Sequence, residues 1–346
     1  MLKGLSRRHF LGAGVGAVAS AGALAWLYRS RNTAIPLGNL VADRAGILDL
    51  PPGFSYQVLQ RVGDPMTDGF HAPAAPDGMA CFPGTDGSWV VMRNHEIHEG
   101  SPVDAALGFA DDRGGGVTRL VVDRASGTLR SSNFVLTGTS RNCAGGPSPY
   151  GWLSCEEVDE SGHGFVFLCD ASASELQAPH RLPALGRFSH EAAAFDAKTG
   201  ITYLTEDTSD SAIYRHVPNH TTRPFVGGEL QALKVSGKDR FMLSEGRKVD
   251  EAFNVEWVSI PDPQALKAST RDQAHNAGAA FFSRGEGAWL ADHHVYLCST
   301  DGGPTRRGQL YRLDISPGGE DRLTLVAQAE SNDSFDKPDN VTVSPW

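Results

Sequence analysis

The chain has 346 residues, a formal net charge of −10 at pH 7, 39 glycines and 20 prolines. An acidic chain with no long basic run is a poor partner for nucleic acid, which sets that class aside. Beyond an apolar N-terminal stretch, about 300 residues remain, enough for one large β-domain or two smaller ones.

The first element is a signal. Ser6-Arg7-Arg8-His9-Phe10-Leu11 is a twin-arginine motif, followed by an apolar Gly/Ala-rich stretch from Leu11 to about Tyr28 that holds no acidic residue. Such a segment addresses a protein to the bacterial twin-arginine export machinery and is excluded from fold reasoning. Residues 1–30 are therefore read as a twin-arginine signal, with a periplasmic or extracellular destination. No clear small-x-small cleavage site stands out beyond Ala21-Gly22-Ala23 and Ala23-Leu24-Ala25. At about 18 residues the stretch reaches the lower limit for spanning a bilayer, so an uncleaved copy would tether the protein to the membrane.

From residue 40 to 346 the pattern is β. Short strand-like runs cover Trp89–Arg93, Thr118–Val122, Phe134–Leu136, Gly164–Cys169 and Ile201–Thr205, and later Glu229–Val235, Val295–Ser299, Gln309–Leu313 and Arg322–Ala327. Asp123-Arg-Ala-Ser-Gly127 and Asp196-Ala-Lys-Thr-Gly200 read as hairpin turns, with Asp314 and Ser316-Pro-Gly-Gly319 as a looser third. In such turns aspartate caps the backbone and glycine takes the positive φ. Repeated antiparallel hairpins suggest an all-β sandwich array or a β-propeller, and no repeat period separates the two. An insertion is expected around 217–280, with a short helix over Asp262–Thr270. The chain stops at Val341-Thr-Val-Ser-Pro-Trp346, read as an incoming strand, so the β-domain is expected to be incomplete at its C-terminus. Of the five cysteines, an odd number, Cys81, Cys155, Cys169 and Cys298 sit in apolar or strand-like contexts and are expected to be buried small hydrophobes.

The fifth, Cys143, differs. It opens the run Asn142-Cys-Ala-Gly-Gly-Pro-Ser-Pro-Tyr-Gly-Trp-Leu-Ser-Cys-Glu-Glu157. A thiolate beside carboxylates is unfavourable unless a cation intervenes, and soft sulfur with hard oxygen donors suggests a metal centre. Glu156 and Glu157 alternate faces if they end a strand, so only one is expected to point inward. Arg93-Asn94-His95-Glu96, with His98 and Glu99 close behind, follows a strand and reads as a site-lining loop. It lacks the helical H-E-x-x-H spacing of zinc proteases. Ser189-His190-Glu191 precedes a strand-like run, and Thr205-Glu206-Asp207 closes the next, so that Glu206 and Asp207 are candidate calcium ligands. Arg284 and Glu286 flank Gly285 and can project the same way, the arginine toward phosphate and the glutamate toward a metal. Asp301-Gly-Gly303 and Asp339-Asn340 are further turn-borne oxygen sources. A G-x-S-x-G nucleophile elbow is absent.

Taken together, these segments resemble the PhoX-type alkaline phosphatases, a twin-arginine-exported bacterial family. The resemblance is carried by Leu50-Pro-Pro-Gly-Phe-Ser-Tyr56, Pro76-Asp-Gly-Met79, Arg93-Asn-His-Glu96, Asn142-Cys-Ala-Gly-Gly146 and Ser154-Cys-Glu-Glu157. It continues in Gly186-Arg-Phe-Ser-His-Glu191, Tyr203-Leu-Thr-Glu-Asp207, Arg284-Gly-Glu-Gly287, Thr300-Asp-Gly-Gly303 and Lys337-Pro-Asp-Asn340. It implies a β-propeller whose channel holds an iron and calcium site that hydrolyses phosphate monoesters. By motif position it implies Cys143 as an iron ligand, Glu191, Glu286 and one of Glu156 and Glu157 as further ligands, and Arg284 and Asn94 as phosphate-orienting groups. Two other readings stand beside it: a non-catalytic calcium-binding propeller, and a calcium-dependent lactonase-like hydrolase. Neither needs a thiolate, so Cys143 separates them from the first.

Overall fold

A computed structural model describes residues 39–316, 318, 320–330 and 335–344. The twin-arginine segment at 1–30 lies outside the described residues, as do Pro345 and Trp346. Among the described residues no helix is long and apolar enough to cross a membrane. The chain divides after Val58. In the first unit an antiparallel bridge joins Val41 to Leu50. There the Asp43 carboxylate accepts from the N–H groups of Ala45, Ile47 and Leu48 and from Tyr56 Oη.

The second unit is built from antiparallel meanders. Strands β1 (Pro76–Pro83), β2 (Ser88–His95), β3 (Gly115–Asp123) and β4 (Leu129–Thr139) pair in that order. Strands β5 (Asn142–Ser148), β6 (Gly151–Glu156) and β7 (Val166–Cys169) form a three-stranded sheet. Strands β8 (His190–Phe195), β9 (Thr202–Glu206), β10 (Tyr214–Val217) and β11 (Glu229–Val235) follow. After β12 (Ala252–Ser259) come β13 (Gly285–Ala291), β14 (His294–Ser299), β15 (Gln309–Asp314) and β16 (Asp321–Gln328). Strand β12 pairs with both β11 and β16 and so welds the last two meanders into one nine-stranded sheet. Its edge strands β8 and β13 pack against each other without pairing, so that sheet nearly closes on itself.

The turns behave as aspartate and glycine dictate. Asp123 Oδ1 accepts from the N–H groups of Ala125 and Ser126, and Gly127 takes φ 71° between β3 and β4. Asp196 and Gly200 do the same between β8 and β9.

The first strand of each meander packs on the first strand of the next, β1 on β5, β5 on β8 and β8 on β13. This is the β-propeller arrangement, with the first strands innermost. Apolar clusters fill the spaces between neighbouring sheets. Met92, Val117, Leu136, Trp152 and Phe167 lie between the first two, and Leu153, Val166, Phe188, Leu204 and Tyr214 between the second and third. Tyr203, Leu233, Phe253, Leu297, Tyr311 and Leu325 fill the nine-stranded sheet. Because the middle sheets are covered on both faces, β6, β8 and β9 are buried at every position, and the polar/apolar alternation of a half-buried strand is lost.

Two expectations need correction. The helix expected over Asp262–Thr270 is α1, Thr270–Asn276; Ser269 caps it by accepting from the Asp272 N–H, while Asp262 is spent on a turn through Ala265 N–H and Lys267 N–H. Cys155, Cys169 and Cys298 are buried as expected, but Cys81 is exposed; all five cysteines are free thiols.

Candidate metal centre

One local device recurs at the start of every innermost strand. The second residues of β1, β5, β8 and β13 are Asp77, Cys143, Glu191 and Glu286. In all four strands the register slips over the next two positions, between Pro76 and Met79, Asn142 and Gly145, His190 and Ala193, and Gly285 and Ala288. A bulge of this kind re-aims a side chain and is common beside active sites. The residue after each is small, Gly78, Ala144, Ala192 and Gly287, because neighbouring backbones meet there. A Cβ on Gly78 would lie 2.6 Å from Ala144 Cα, and one on Gly287 would lie 2.7 Å from Asn340 Cα. The segment Lys337-Pro338-Asp339 repeats the pattern against β13, with Gly287 N–H donating to Asp339 O at 2.8 Å. Ala75, Arg141, Arg284 and Lys337, each two residues ahead of one of these acidic or thiol groups, have φ of 46°, 46°, 47° and 49°. That region is uncommon for residues with a side chain and marks functional sites.

These strand starts, with the residues that end the second strands, bring acidic groups and the thiol together. Cys143, Glu157 and Glu191 offer ligand atoms within 4.8 Å of one another, and so do Asp77, Glu96 and Cys143. Cys143 Sγ donates to Glu191 Oε1 at 3.4 Å. The electrostatics are those of crowded anions. Burial, then Glu96 and Asp339, pushes Asp77 up to about 6. Burial, then Asp207, pushes Glu286 up to about 8 against the opposing pull of Arg284. Burial and Glu286 raise Glu191 well above the carboxylate range, and burial with Glu191 and Asp77 raises the Cys143 thiol. Glu157 is raised by burial despite Arg141. A cation among these groups reverses each shift.

The donor set fits a metal. Glu191 Oε2 is buried with no hydrogen-bond partner among the described residues. Glu286 Oε1 differs, being ion-paired with Arg284 Nη2 at 2.9 Å. An unpartnered carboxylate oxygen at the depth of Glu191 Oε2 is costly unless a cation takes it. A thiolate at Cys143 would be a soft ligand suited to a transition metal, and the all-oxygen positions would suit a hard cation.

The structure separates the candidate residues named from the sequence. Cys143, Glu157, Glu191 and Glu286 converge. Glu156 faces the other way, fully buried, accepting from the N–H groups of Ser140, Gly164 and Phe165 and from His163 Nδ1. Of the adjacent pair, Glu157 is therefore the one turned to the centre. Asp207 clamps Arg284 by two parallel bonds, Nε to Oδ1 at 2.8 Å and Nη2 to Oδ2 at 2.7 Å. Glu206 points away from Asp207 into a separate network, accepting from Tyr214 Oη and Arg271 Nη1. Asn94 sits behind the cysteine. Its Nδ2 donates to Cys143 O and Ala144 O, and its Oδ1 accepts from Trp152 Nε1 and Ser154 Oγ. All its bonds are used to hold the cysteine loop to the core. Asp77, Glu96 and Asp339 were not legible as ligands, nor Arg141 as their neighbour: Asp77 lies in a Pro-Asp-Gly that looks like a turn, and Asp339 reads as turn-borne.

A family model described as alkaline phosphatase PhoX matches residues 35–133 and 117–346, nearly the whole chain. No curated protein matches. The chain belongs to the PhoX alkaline phosphatase family and is a phosphomonoesterase of that type.

Proposed function

From that family membership, we propose that the chain is an exported phosphatase that hydrolyses phosphate monoesters at a mixed iron and calcium centre. Cys143, Glu157 and Glu191 would hold ferric iron, and Asp77, Glu96, Glu286 and Asp339 would supply oxygen to calcium. The observation that carries this reading is the buried thiol among carboxylates with the unpartnered Glu191 Oε2. When bound, the ions act as Lewis acids on the phosphoryl oxygens and place an oxygen nucleophile. Arg284 binds the phosphoryl group. Asp207 occupies its Nε–Nη2 edge, which fixes the plane of the guanidinium and leaves Nη1 for the developing negative charge. Asn94 positions Cys143 and does not itself meet substrate. In the net reaction a new P–O bond forms to water oxygen, the ester P–O bond breaks, and the departing alkoxide oxygen takes one of the water's protons to leave as the alcohol. The twin-arginine motif at Ser6–Leu11 supports export to the periplasm or beyond, with a tether where the signal stays uncleaved.

The test is hydrolysis of p-nitrophenyl phosphate by the folded protein and by Cys143→Ser. Loss of turnover in the variant supports the reading. Full turnover in the variant means a calcium-only hydrolase, and no turnover by the wild type means a calcium-binding propeller.

A further inference from the structure

Arg141 stands to Cys143 as Arg284 stands to Glu286. Each lies two residues ahead of the site residue, each has a left-handed backbone, φ 46° and 47°, and each has a side chain about equally open, 41% and 40% exposed. Each also pairs with the residue just past the second strand of the preceding meander: Arg141 Nη2 reaches Glu96 Oε1 at 2.7 Å, as Arg284 reaches Asp207 after β9. The same Nη2 is 2.8 Å from Glu157 Oε2, so one guanidinium spans the two cation-capable groups. Its backbone is pinned on both sides, the N–H donating to Ile97 O and the C=O accepting from Glu157 N–H, both at 3.0 Å. Glu157, held by Arg141, offers a ligand atom within 4.8 Å of Glu191, and Asp207, which clamps Arg284, donates its N–H to Ser189 O, two residues ahead of Glu191, at 3.1 Å. The two arginines therefore stand at the same end of the innermost strands, on either side of β8.

We propose that Arg141 is a second phosphate-facing arginine, which with Arg284 makes the site selective for doubly charged phosphate monoesters over singly charged diesters. The proposal rests on the phosphomonoesterase reading of the site. Each guanidinium is fixed through Nη2 by carboxylates, and in each Nη1 remains to donate to a phosphoryl oxygen. A dianion satisfies both arginines. A diester brings one charge fewer and an alkyl group where an acceptor oxygen would be.

The experiment compares the metal-loaded wild type with Arg141→Gln for inhibition by inorganic phosphate, turnover of p-nitrophenyl phosphate and of bis-p-nitrophenyl phosphate, metal content and melting temperature. The expected result is unchanged metal content, a rise in the phosphate inhibition constant of about 10- to 100-fold, the range for a lost charged hydrogen bond, and a fall of about 10-fold or more in the monoester-to-diester ratio. An unchanged inhibition constant and ratio overturn the proposal. So does a rise that comes with lost metal, which would make Arg141 a holder of ligands only. If Arg141→Gln does not fold, Arg141→Lys should raise the constant by a smaller factor, and no rise overturns the proposal. If the wild type hydrolyses no monoester, the reading of function fails. Calorimetry with inorganic phosphate then tests Arg141 separately, with weaker binding expected in the variant and equal binding counting against it.

Discussion

Replacing Glu286 by Gln should stabilise the cation-free protein at pH 8 and leave it unchanged near pH 4.5. Glu286 is 2% exposed, and burial with Asp207 raises its pKa from the ordinary 4.5 to about 8. The folded state therefore keeps a proton that the unfolded chain releases. The stability tied to that proton is fully present below pH 4.5 and is lost as pH rises toward 8, at about 1.4 kcal/mol per pH unit. Across the whole window this reaches about 5 kcal/mol. Asp207, Glu157 and Asp339 repel the same charge, so roughly half, about 2–3 kcal/mol, belongs to Glu286 alone. Glutamine cannot ionise and keeps that stability at pH 8. With about 2–4 °C per kcal/mol for a large domain, the variant should melt about 4–12 °C higher than the wild type in chelator at pH 8. Thermal melts followed by circular dichroism at pH 4.5, 6 and 8 measure this. Adding calcium should reverse the order, because the wild type gains a ligand that the variant lacks. A variant that melts below the wild type in chelator at pH 8 would refute the reasoning, since Glu286 would then be a stabilising partner of Arg284 rather than a crowded anion.

Asn94→Ala removes four buried hydrogen bonds behind Cys143 and should cost roughly 2–4 kcal/mol in urea unfolding; a change under about 0.5 kcal/mol contradicts that role. Gly78→Ala drives a methyl into the Ala144 backbone at 2.6 Å, which should cost about 1–3 kcal/mol and weaken cation retention, and an unchanged melting curve contradicts it. Asp207→Asn loosens Arg284 and should lower kcat/KM about 10- to 100-fold with the metal content kept; equal kcat/KM would show that the clamp is not needed.

How much of this could be read from the sequence depended on burial. Strand β11 was legible to its bounds, and β2, β3, β14, β15 and β16 nearly so, because apolar runs end at turn residues. The turns Asp123–Gly127 and Asp196–Gly200 were legible because aspartate and glycine have few other uses at that spacing. Of the innermost strands, β8 was legible only from Ala192 onward, and β5 and β13 were not legible as strands. They hold glycine, alanine, histidine and glutamate, and a bulge breaks the alternation at the residue that matters. For the same reason Asp77 was hidden in what looks like a turn. The opposite facing of Glu156 and Glu157 follows from strand geometry alone, but which of them is turned inward depended on the N–H groups of the loop at Gly164 and Phe165. Glu206 and Asp207 read as a pair and part in the fold for the same reason. Strand β12, which joins two meanders, has no local signal, because its partner β16 lies far along the chain.

The central claim is that a thiol and carboxylates from successive innermost strands assemble one metal centre. Elemental analysis of the folded protein beside Cys143→Ser tests it most directly. The account predicts iron and calcium together in the wild type, with iron lost and calcium largely kept in the variant. A wild type without iron, or a variant that keeps it, would contradict the assignment of Cys143 to the centre.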